Sequence, residues 1–284
     1  MLMGFLAIDK PKEITSAEVV AIVRKFLPKG VKVGHTGTLD PLATGVLILA
    51  VGRATRLAEY LLKKDKCYIV KGRLGLSSNT YDVDGEIKEV PCQRVEEGEL
   101  REVLKNFTGE VEQVPPPFSA IRIKGKRAYE LARRGEKVEL PPRKVTIYSL
   151  KLLDFNYPDF TLEVCCSSGT YIRSLVHDIG RALGCDAVVV ELRRTRVGNV
   201  SIEDAVSLGS LTPENVREFI LPPDSLLDFP KVSLEGRAEK LFINGGKVKV
   251  NLPDGYYRVY GRDKFLGVGY LKSGLLKPEK VLVG

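Results

Sequence analysis

The sequence predicts an α+β protein in which a mixed, mainly antiparallel sheet is flanked by helices and followed by a small all-β domain. Over most of the 284 residues, strand-like and helical patterns alternate irregularly, which favours a mixed sheet over a doubly wound one. From about residue 229 onward the chain has only short strand-like runs separated by turns. Pro222-Pro223 separates the two patterns, so we expect domains at 1–226 and 227–284.

The N-terminal part of the large domain contains strong local signals. Thr15 and Glu18 have the spacing of a capping box, and the helix that follows carries apolar residues at helical intervals until Pro28. The apolar run VLILAV is typical of a strand buried on both faces. We also predict a strand at 4–9, an amphipathic helix at 53–64, a strand at 67–76, a hairpin turn at Asp84-Gly85 and a helix at 96–107.

From Pro115 the chain becomes basic, and we interpret 115–144 as an insertion that projects from the sheet and contains a short helix at about 126–134. The local excess of positive charge and the interleaved Phe118 and Tyr129 favour contact with a phosphate backbone over a solvated charged helix. The cations of this segment are Arg122, Lys124, Lys126, Arg127, Arg133, Arg134, Lys137, Arg143 and Lys144.

The remaining elements complete the predicted sheet and the second domain. A strand pair at 145–155 and 159–168 precedes a strand-to-helix turn, and AVVVELRRTRVGNV then returns as a strand. Ser201 and Thr212 have the position of N-caps of short helices. The runs KVKV, YYRVY, FLGVGYL and KVLV, separated by NGG, PDG, GRD and KSG turns, predict the strands of the all-β domain.

Composition limits the class of protein. Hydrophobic residues make up 44% and charged residues 28%, which is sufficient for a packed core. The net charge of +8 indicates a polyanionic partner only where the positive charges cluster. The apolar N-terminus lacks a basic n-region, and no segment reaches the ~20 apolar residues of a membrane span. We therefore expect a cytoplasmic protein that is not associated with a membrane.

The five cysteines predict neither a metal site nor a redox motif. They include no C-x-x-C pair, and only two histidines, His35 and His177, could complete a zinc site. We expect reduced thiols in the core. The D-V-D-G of residues 82–85 lacks the third ligand position and the closing Glu of a calcium loop.

The segment 34–45, GHTGTLDPLATG, contains a conspicuous single carboxylate, Asp40. Asp-Pro is a common turn pair, so a purely structural role stays open. A reactive carboxylate needs a cation that keeps it ionised, and Arg173 at the start of a helix can supply one. Tyr68 offers a flat ring that could stack on a base. Arg173 could equally form a surface ion pair, and Tyr68 could be a core aromatic.

These residues resemble the TruB family of tRNA pseudouridine synthases, which isomerise the uridine at tRNA position 55. The resemblance rests on GHTGTLDPLATGVL together with FLAIDKP, KCYIV, SSNTYDVDGEI, GTYIRSLVHDIG and ELRRTRVG, which occur in the family's order and at about its spacing. The C-terminal module resembles a short PUA domain, an RNA-binding module. The resemblance covers nearly the whole chain and implies the pseudouridine synthase fold with a PUA-like barrel.

The resemblance also implies roles for the site residues. Asp40 is then the catalytic aspartate, Arg173 its ion-pair partner, and Tyr68 the residue that stacks on the target uracil and takes a proton. The implied RNA contacts are Leu192 against the base, His35 where the base has left the T-loop, Lys10 with Pro11 supporting the active-site loop, and Asp82 near the flipped nucleotides. Tyr171 and the insertion's Arg122, Lys124, Arg133 and Arg134 complete the predicted RNA-binding set.

The implied reaction breaks the N1–C1′ bond of uridine, turns the base and rejoins it through C5. Nothing is oxidised and no group leaves, so we expect no cofactor and no metal. The carboxylate can attack C1′ as in glycosidases, attack C6 of the base, or abstract a sugar proton, and the sequence leaves these routes open. Base flipping costs a few kcal/mol, which stacking on Tyr68, insertion of His35 and the basic segment can offset.

Two other functions stay open. One is a non-catalytic tRNA-binding or RNA-folding protein, against which the combination of Asp40, Tyr68 and Arg173 argues. The other is a guide-dependent, dyskerin-like synthase, a branch that resembles GHSGTLDPKVTG where this chain reads GHTGTLDPLATG. We expect an enzyme that acts on the T-stem-loop of tRNA without guide RNA or protein partner, and as a monomer.

Overall fold

The computed structural model describes residues 2–119, 122–123, 126–134, 140–262 and 264–283. The strands of the large domain are β1 (Gly4–Lys10), β2 (Val33–His35), β3 (Thr44–Val51), β4 (Lys66–Leu74), β5 (Leu76–Ser78), β6 (Ile87–Glu89), β7 (Gly109–Gln113), β8 (Arg122–Ile123), β9 (Lys126–Arg127), β10 (Arg143–Asn156), β11 (Asp159–Cys166), β12 (Ala187–Val197), β13 (Val200–Ser201) and β14 (Val206–Ser207).

Ten of these described strands form one sheet in the order β14-β1-β3-β12-β4-β11-β10-β7, with β2 beside β3 and β13 beside β12. The β1–β14 and β3–β12 pairs are parallel, and the other pairs of this sheet in the described part of the chain are antiparallel. The predicted mixed, mainly antiparallel sheet is therefore confirmed. The hairpin predicted at Asp84-Gly85 is the separate β5–β6 pair.

The helices of the large domain are α1 (Ser16–Phe26), α2 (Ala58–Leu62), α3 (Glu97–Lys105), α4 (Ala128–Arg133) and α5 (Ile172–Ala182). The predicted capping box starts α1: the Thr15 hydroxyl accepts from Glu18 N at 3.1 Å, and the Glu18 carboxylate accepts from Thr15 N at 2.8 Å. The helix predicted at 53–64 is interrupted, because Gly52–Leu57 forms a 3₁₀ turn before α2. Among the described residues, none of the helices has the length and apolar character to span a membrane.

The C-terminal domain contains β15 (Lys231–Ser233), α6 (Gly236–Ile243), β16 (Val248–Lys249), β17 (Gly255–Tyr260), β18 (Phe265–Lys272) and β19 (Leu275–Val281). Its strands pair in the order β15-β17-β18-β19-β16. The turn-rich pattern predicted this sheet but not α6, whose Phe242 is fully buried in the domain's core.

The large sheet separates two hydrophobic cores because successive side chains of a strand point to opposite faces. Leu6 and Ile8 of β1 enter the core that lies under α1, α3 and α5, whereas Phe5 and Ala7 enter the opposite core. That opposite core also contains Phe265, Val268 and Leu282, so the C-terminal domain packs on this face. As predicted for a strand covered on both faces, β3 is buried almost throughout.

Two disulfide bonds correct the expectation of reduced core thiols. Cys67 of β4 is bonded to Cys165 of β11, its direct partner in the strand register. Cys92 is bonded to Cys185 across a separation of 93 residues. Cys166 is free and buried. The absence of C-x-x-C spacing gave no signal for these bonds, because pairing partners nearly 100 residues apart are brought together only by the sheet and α5.

We predict that reduction destabilises the protein. Each bond closes a loop of nearly 100 residues, which restricts the unfolded chain by about 4–5 kcal/mol in the loop-entropy model. Addition of a strong reductant should lower the thermal midpoint by roughly 5–15 °C, measured by circular dichroism. Cys166→Ser should show the same drop on reduction, and a variant with all four paired cysteines replaced should show none. An unchanged midpoint in the reduced wild type would contradict the assignment.

Candidate active site

The loop that carries Asp40 is fixed from the core side. After β2, Thr36 donates from its amide and its hydroxyl to Ile48 O at 2.9 and 3.0 Å. Ser16 of α1 exchanges two hydrogen bonds with Leu39: its hydroxyl accepts from Leu39 N at 2.9 Å and donates to Leu39 O at 3.1 Å. Leu39 and Leu42 are buried on either side of Asp40. Asp40 therefore lies on a loop whose neighbouring residues are held in place by hydrogen bonds and by burial.

Position 45, at the end of this loop, requires a glycine because of its backbone conformation and a close neighbouring chain. Its φ of +104° lies in the region that favours glycine, and a Cβ here would lie 2.1 Å from Arg194 O. The main chain of β12 can therefore approach the end of the Asp40 loop closely.

Arg173 joins Asp40 to a buried part of the domain. Its Nε lies 2.9 Å from Asp40 Oδ2 and its Nη2 lies 3.3 Å from Oδ1, so the ion pair is bidentate. The guanidinium also donates to Thr80 O and Phe118 O, each at 3.0 Å. The side chain of Arg173 is 8% exposed and that of Asp40 is 35% exposed. A buried cation thus holds a carboxylate whose outer side faces solvent.

Asp82 lies behind Arg173 and not at the surface. Its Oδ2 is 3.8 Å from Arg173 Nε, and its side chain is 5% exposed. Its Oδ1 accepts from Thr80 Oγ1 at 2.6 Å and from Asp84 N at 3.1 Å. Burial raises the pKa of Asp82, and the Thr80 hydroxyl and Arg173 oppose this rise. Asp82 therefore contacts the cation that holds Asp40, whereas the sequence-based expectation placed it near the flipped nucleotides.

The start of α5 positions Arg173. The side chain of Gln113 accepts from Tyr171 N at 3.0 Å and donates to Tyr171 O at 3.2 Å, and Ser174 Oγ donates to Val114 O at 2.7 Å. These bonds attach the first turn of the helix to the end of β7. Tyr171 is half-buried, which raises the pKa of its hydroxyl.

Tyr68 and Leu192 lie on neighbouring strands and on the same face of the sheet. In the register of β4 and β12, Tyr68 is opposite Arg194 and Leu192 is opposite Val70. Both side chains are buried in the core on the α1 and α5 side. Burial raises the pKa of Tyr68, and the adjacent Arg194 partly offsets this rise. The phenol therefore keeps its proton at neutral pH in the free protein.

Arg194 is a site residue that the sequence analysis did not select. Its buried guanidinium donates to Val46 O at 2.8 Å, Gly37 O at 3.0 Å and Thr38 O at 3.4 Å. These carbonyls lie on both sides of Asp40 in the chain. The sequence did contain a signal for this position. Side chains two residues apart on a strand point to the same face, so an arginine two residues after a core leucine is expected on the buried face.

Lys10 supports the same loop from β1. Its fully buried ammonium donates to Ile14 O at 2.7 Å, Pro11 O at 2.8 Å and Pro41 O at 3.3 Å. Burial lowers its pKa to about 8, and Asp40 acts in the opposite direction. Lys10 therefore fixes the residue that follows Asp40, which agrees in position with the support expected of Lys10 with Pro11.

For the other predicted RNA contacts, the structure gives the position and exposure of only some residues. His35 is partly exposed at the end of β2, where the loop of Asp40 begins. Arg134 is exposed in the turn after α4. Lys124 lies outside the described residues, as do the side chains of Arg122 and Arg133. In the described part of the chain, no three His, Cys, Asp or Glu side chains are grouped to hold a metal ion.

The fold is that of a pseudouridine synthase. The chain aligns with a solved H/ACA ribonucleoprotein bound to a substrate RNA containing 2′-deoxyuridine at a TM-score of 0.73 and 27% identity, over 99% of this chain and 85% of that one. It aligns with a Cbf5-Nop10-Gar1 complex at a TM-score of 0.74 and 28% identity, over the same shares of the two chains.

Sequence comparisons identify the family. The model of the TruB family pseudouridylate synthase N-terminal domain matches residues 24–172, and the tRNA pseudouridylate synthase B and TruB C-terminal models match 173–228 and 230–282. Proteins named tRNA pseudouridine synthase B are 45% identical in Aquifex aeolicus and 41% identical in Clostridium kluyveri, over 99% of both chains in each case. The chain belongs to the TruB family.

We predict that the Arg173 ion pairs are required for stability at neutral pH. Arg173→Met leaves Asp82 buried without its cation, which should lower the free energy of unfolding by about 3–5 kcal/mol at pH 8. Without the guanidinium, the folded-state pKa of Asp82 rises further above its unfolded value, so the folded state binds more protons and stability falls as pH rises. The loss should therefore be smaller at pH 5, measured by urea unfolding.

Two further variants make this test specific. In Arg173→Met with Asp82→Asn the buried charge is gone, so the pH dependence of the loss should largely disappear. Lys151→Met removes an exposed ion pair with Glu163 and should change stability by less than about 1 kcal/mol. An equal loss at both pH values in the Arg173→Met variant would contradict the proposed coupling.

Proposed function

We propose that this protein isomerises uridine to pseudouridine at position 55 in the T-loop of tRNA, with Asp40 as the catalytic carboxylate. The observation that carries the proposal is the bidentate Arg173–Asp40 pair, in which a buried cation holds a partly exposed carboxylate. The two hydrogen bonds from the guanidinium fix the orientation of the carboxylate. An ionised oxygen is what attack on C1′ or C6, or abstraction of a sugar proton, requires.

The surroundings of Asp40 suit a base that has left its stack. Tyr68 and Leu192 present an aromatic ring and an aliphatic side chain from adjacent strands, and we assign them to stacking and packing against the uracil. Because Tyr68 is protonated in the free protein, it can take a proton from the base only after its own phenolic proton has passed to water. His35, Tyr171 and the cations of the insertion are proposed RNA contacts.

The stand-alone function is favoured over the alternatives. The relatives named tRNA pseudouridine synthase B match over the full length of both chains, whereas the structurally similar proteins of the H/ACA and Cbf5 complexes share 27–28% identity. We therefore propose that the protein needs no guide RNA, protein partner, metal or cofactor, and that it acts as a cytoplasmic monomer. A binding protein alone would have no use for a buried cation that holds an exposed carboxylate.

We predict that Asp40→Asn abolishes isomerisation while it preserves binding. Isomerisation replaces the hydrogen on uracil C5, so a tRNA transcript with tritium at C5 should release label to water. Wild type should release it without guide RNA or cofactor, and Asp40→Asn should be slower by at least about 10²-fold. The dissociation constant for the transcript should change by less than about threefold, because Asn is nearly isosteric with Asp.

Asp84→Asn is the matched control, since Asp84 is a carboxylate of the same region that makes no ion pair with Arg173 in the described contacts. This control should retain wild-type turnover. Full turnover in Asp40→Asn would refute the catalytic assignment, and a wild type that binds tRNA without releasing tritium would establish the binding-protein alternative.

We propose that Arg194 is a positioning residue that fixes both arms of the catalytic loop. Arg194→Lys retains a charge but cannot reach Val46, Gly37 and Thr38 together, so Asp40 should lose its fixed orientation. The kcat should fall by about 10²-fold with little change in KM for tRNA, measured at 25 °C on protein shown by circular dichroism to be folded. A variant with a lower thermal midpoint but wild-type kcat would show that Arg194 has only a structural role.

A further inference from the structure

A cavity of about 380 Å³ lies away from Asp40, between the turn that joins α2 to β4, the end of β12 and the segment that leads into the C-terminal domain. Its walls include Tyr60, Lys63, Asp65, Arg196, Asn199 and Phe229. Small-ligand sites in proteins have volumes of about 300–1,000 Å³, so the cavity can accept one nucleotide.

The aromatic wall of the cavity continues onto the surface of the C-terminal domain. The rings of Tyr60 and Phe229 meet edge to face with centroids 5.2 Å apart, and Phe229 stacks on Tyr256 at 5.2 Å with an interplanar angle of 27°. Tyr256 also meets Tyr270 at 4.8 Å. Tyr256 is 41% exposed, so part of this aromatic platform is open to solvent. Such platforms bind unpaired bases of any sequence.

The cavity is also lined by two cations, Lys63 and Arg196, that form no ion pair in the described contacts, together with Lys64, Asp65 and Asp228. Arg196 donates to Gly198 O at 2.7 Å and lies 3.0 Å from Cys67 Sγ, and among the described residues no carboxylate pairs with it. Lys63 is exposed at the rim. Lys64, by contrast, is paired with Asp228. The two cations match the phosphate of a nucleotide, and the aromatic platform matches its base.

The cavity is separate from the catalytic site. Tyr60 and Phe229 pack against the core on the side of the C-terminal domain, whereas Tyr68 belongs to the core on the opposite face of the sheet. One base cannot contact both places. A nucleotide in the cavity must therefore come from a part of the RNA other than the flipped uridine.

We propose that this cavity binds an unpaired nucleotide of the tRNA substrate that lies outside the T-stem-loop. Its base packs against the rings of Tyr60 and Phe229, which Tyr256 contacts from the C-terminal domain, and its phosphate lies between Lys63 and Arg196. Asn199 and Asp65 supply polar groups at the edge of the base. The proposal rests on the proposed tRNA function, and it gives the C-terminal domain a defined part in recognition of the whole tRNA.

The test compares a full-length tRNA transcript with a hairpin that contains only the T-stem-loop. Lys63→Glu and Tyr256→Ala should each weaken binding of the full-length transcript by roughly five- to tenfold and leave binding of the hairpin unchanged. For Lys63→Glu, the slope of log K against log salt should fall by about 1 with the full-length transcript. Dissociation constants at several salt concentrations provide both readouts.

Matched variants control for charge and packing. Lys249→Glu makes the same charge change on β16, three strands away from β17 at the edge of the C-terminal sheet opposite β15, and should bind both RNAs like the wild type. Tyr256→Phe keeps the ring and should retain most of the affinity that Tyr256→Ala loses.

Unchanged binding of the full-length transcript in both Lys63→Glu and Tyr256→Ala would overturn the proposal, as would an equal loss with the hairpin. Tritium release by the wild type is measured in parallel on both RNAs. If the wild type binds both and releases no tritium, the proposed catalytic function fails while the binding comparison still decides the role of the cavity.

Discussion

The site depends on the ion pairs and hydrogen bonds that the buried guanidinium of Arg173 makes. A cation with 8% of its side chain exposed must be surrounded by acceptors, because an uncompensated charge in the interior is costly. The acceptors come from three segments far apart in the chain: the loop of Asp40, the turn at Thr80 and Asp82, and Phe118 near the start of the insertion, while α5 carries the cation. These segments must therefore meet around the cation to supply its hydrogen-bond acceptors, and the place where they meet forms the site.

Two further buried cations stabilise the loop from behind. Lys10 binds the carbonyl that follows Asp40, and Arg194 binds carbonyls on both sides of it. Neither is paired with a carboxylate in the described contacts, so their charges act mainly on backbone dipoles, and Lys10 also interacts at longer range with Asp40. The loop of Asp40 is therefore held by buried cations on both sides of the carboxylate.

The large sheet separates the loop of Asp40 from the C-terminal domain. One face contains Tyr68 and Leu192, and the opposite face packs against the C-terminal domain. The cavity of Tyr60 and Phe229 lies at that packed junction. The strands of the large sheet form the connection between the loop of Asp40 on one face and this cavity on the other.

The sequence by itself determined what depends on neighbouring residues. Local sequence pattern predicted four features: the capping box of α1, the almost fully buried β3, the hairpin at 84–85 and the mixed sheet. The motif around Asp40 indicated the family. The sequence could not give the places of Asp82 and Arg194, the Cys67–Cys165 and Cys92–Cys185 bonds, or α6. Those features depend on contacts between segments distant in the chain. Asp82 is buried beside Arg173, and strand register places Arg194 opposite Tyr68. Charge satisfaction and covalent pairing in the interior are properties of the packed chain, and only the tertiary structure decides them.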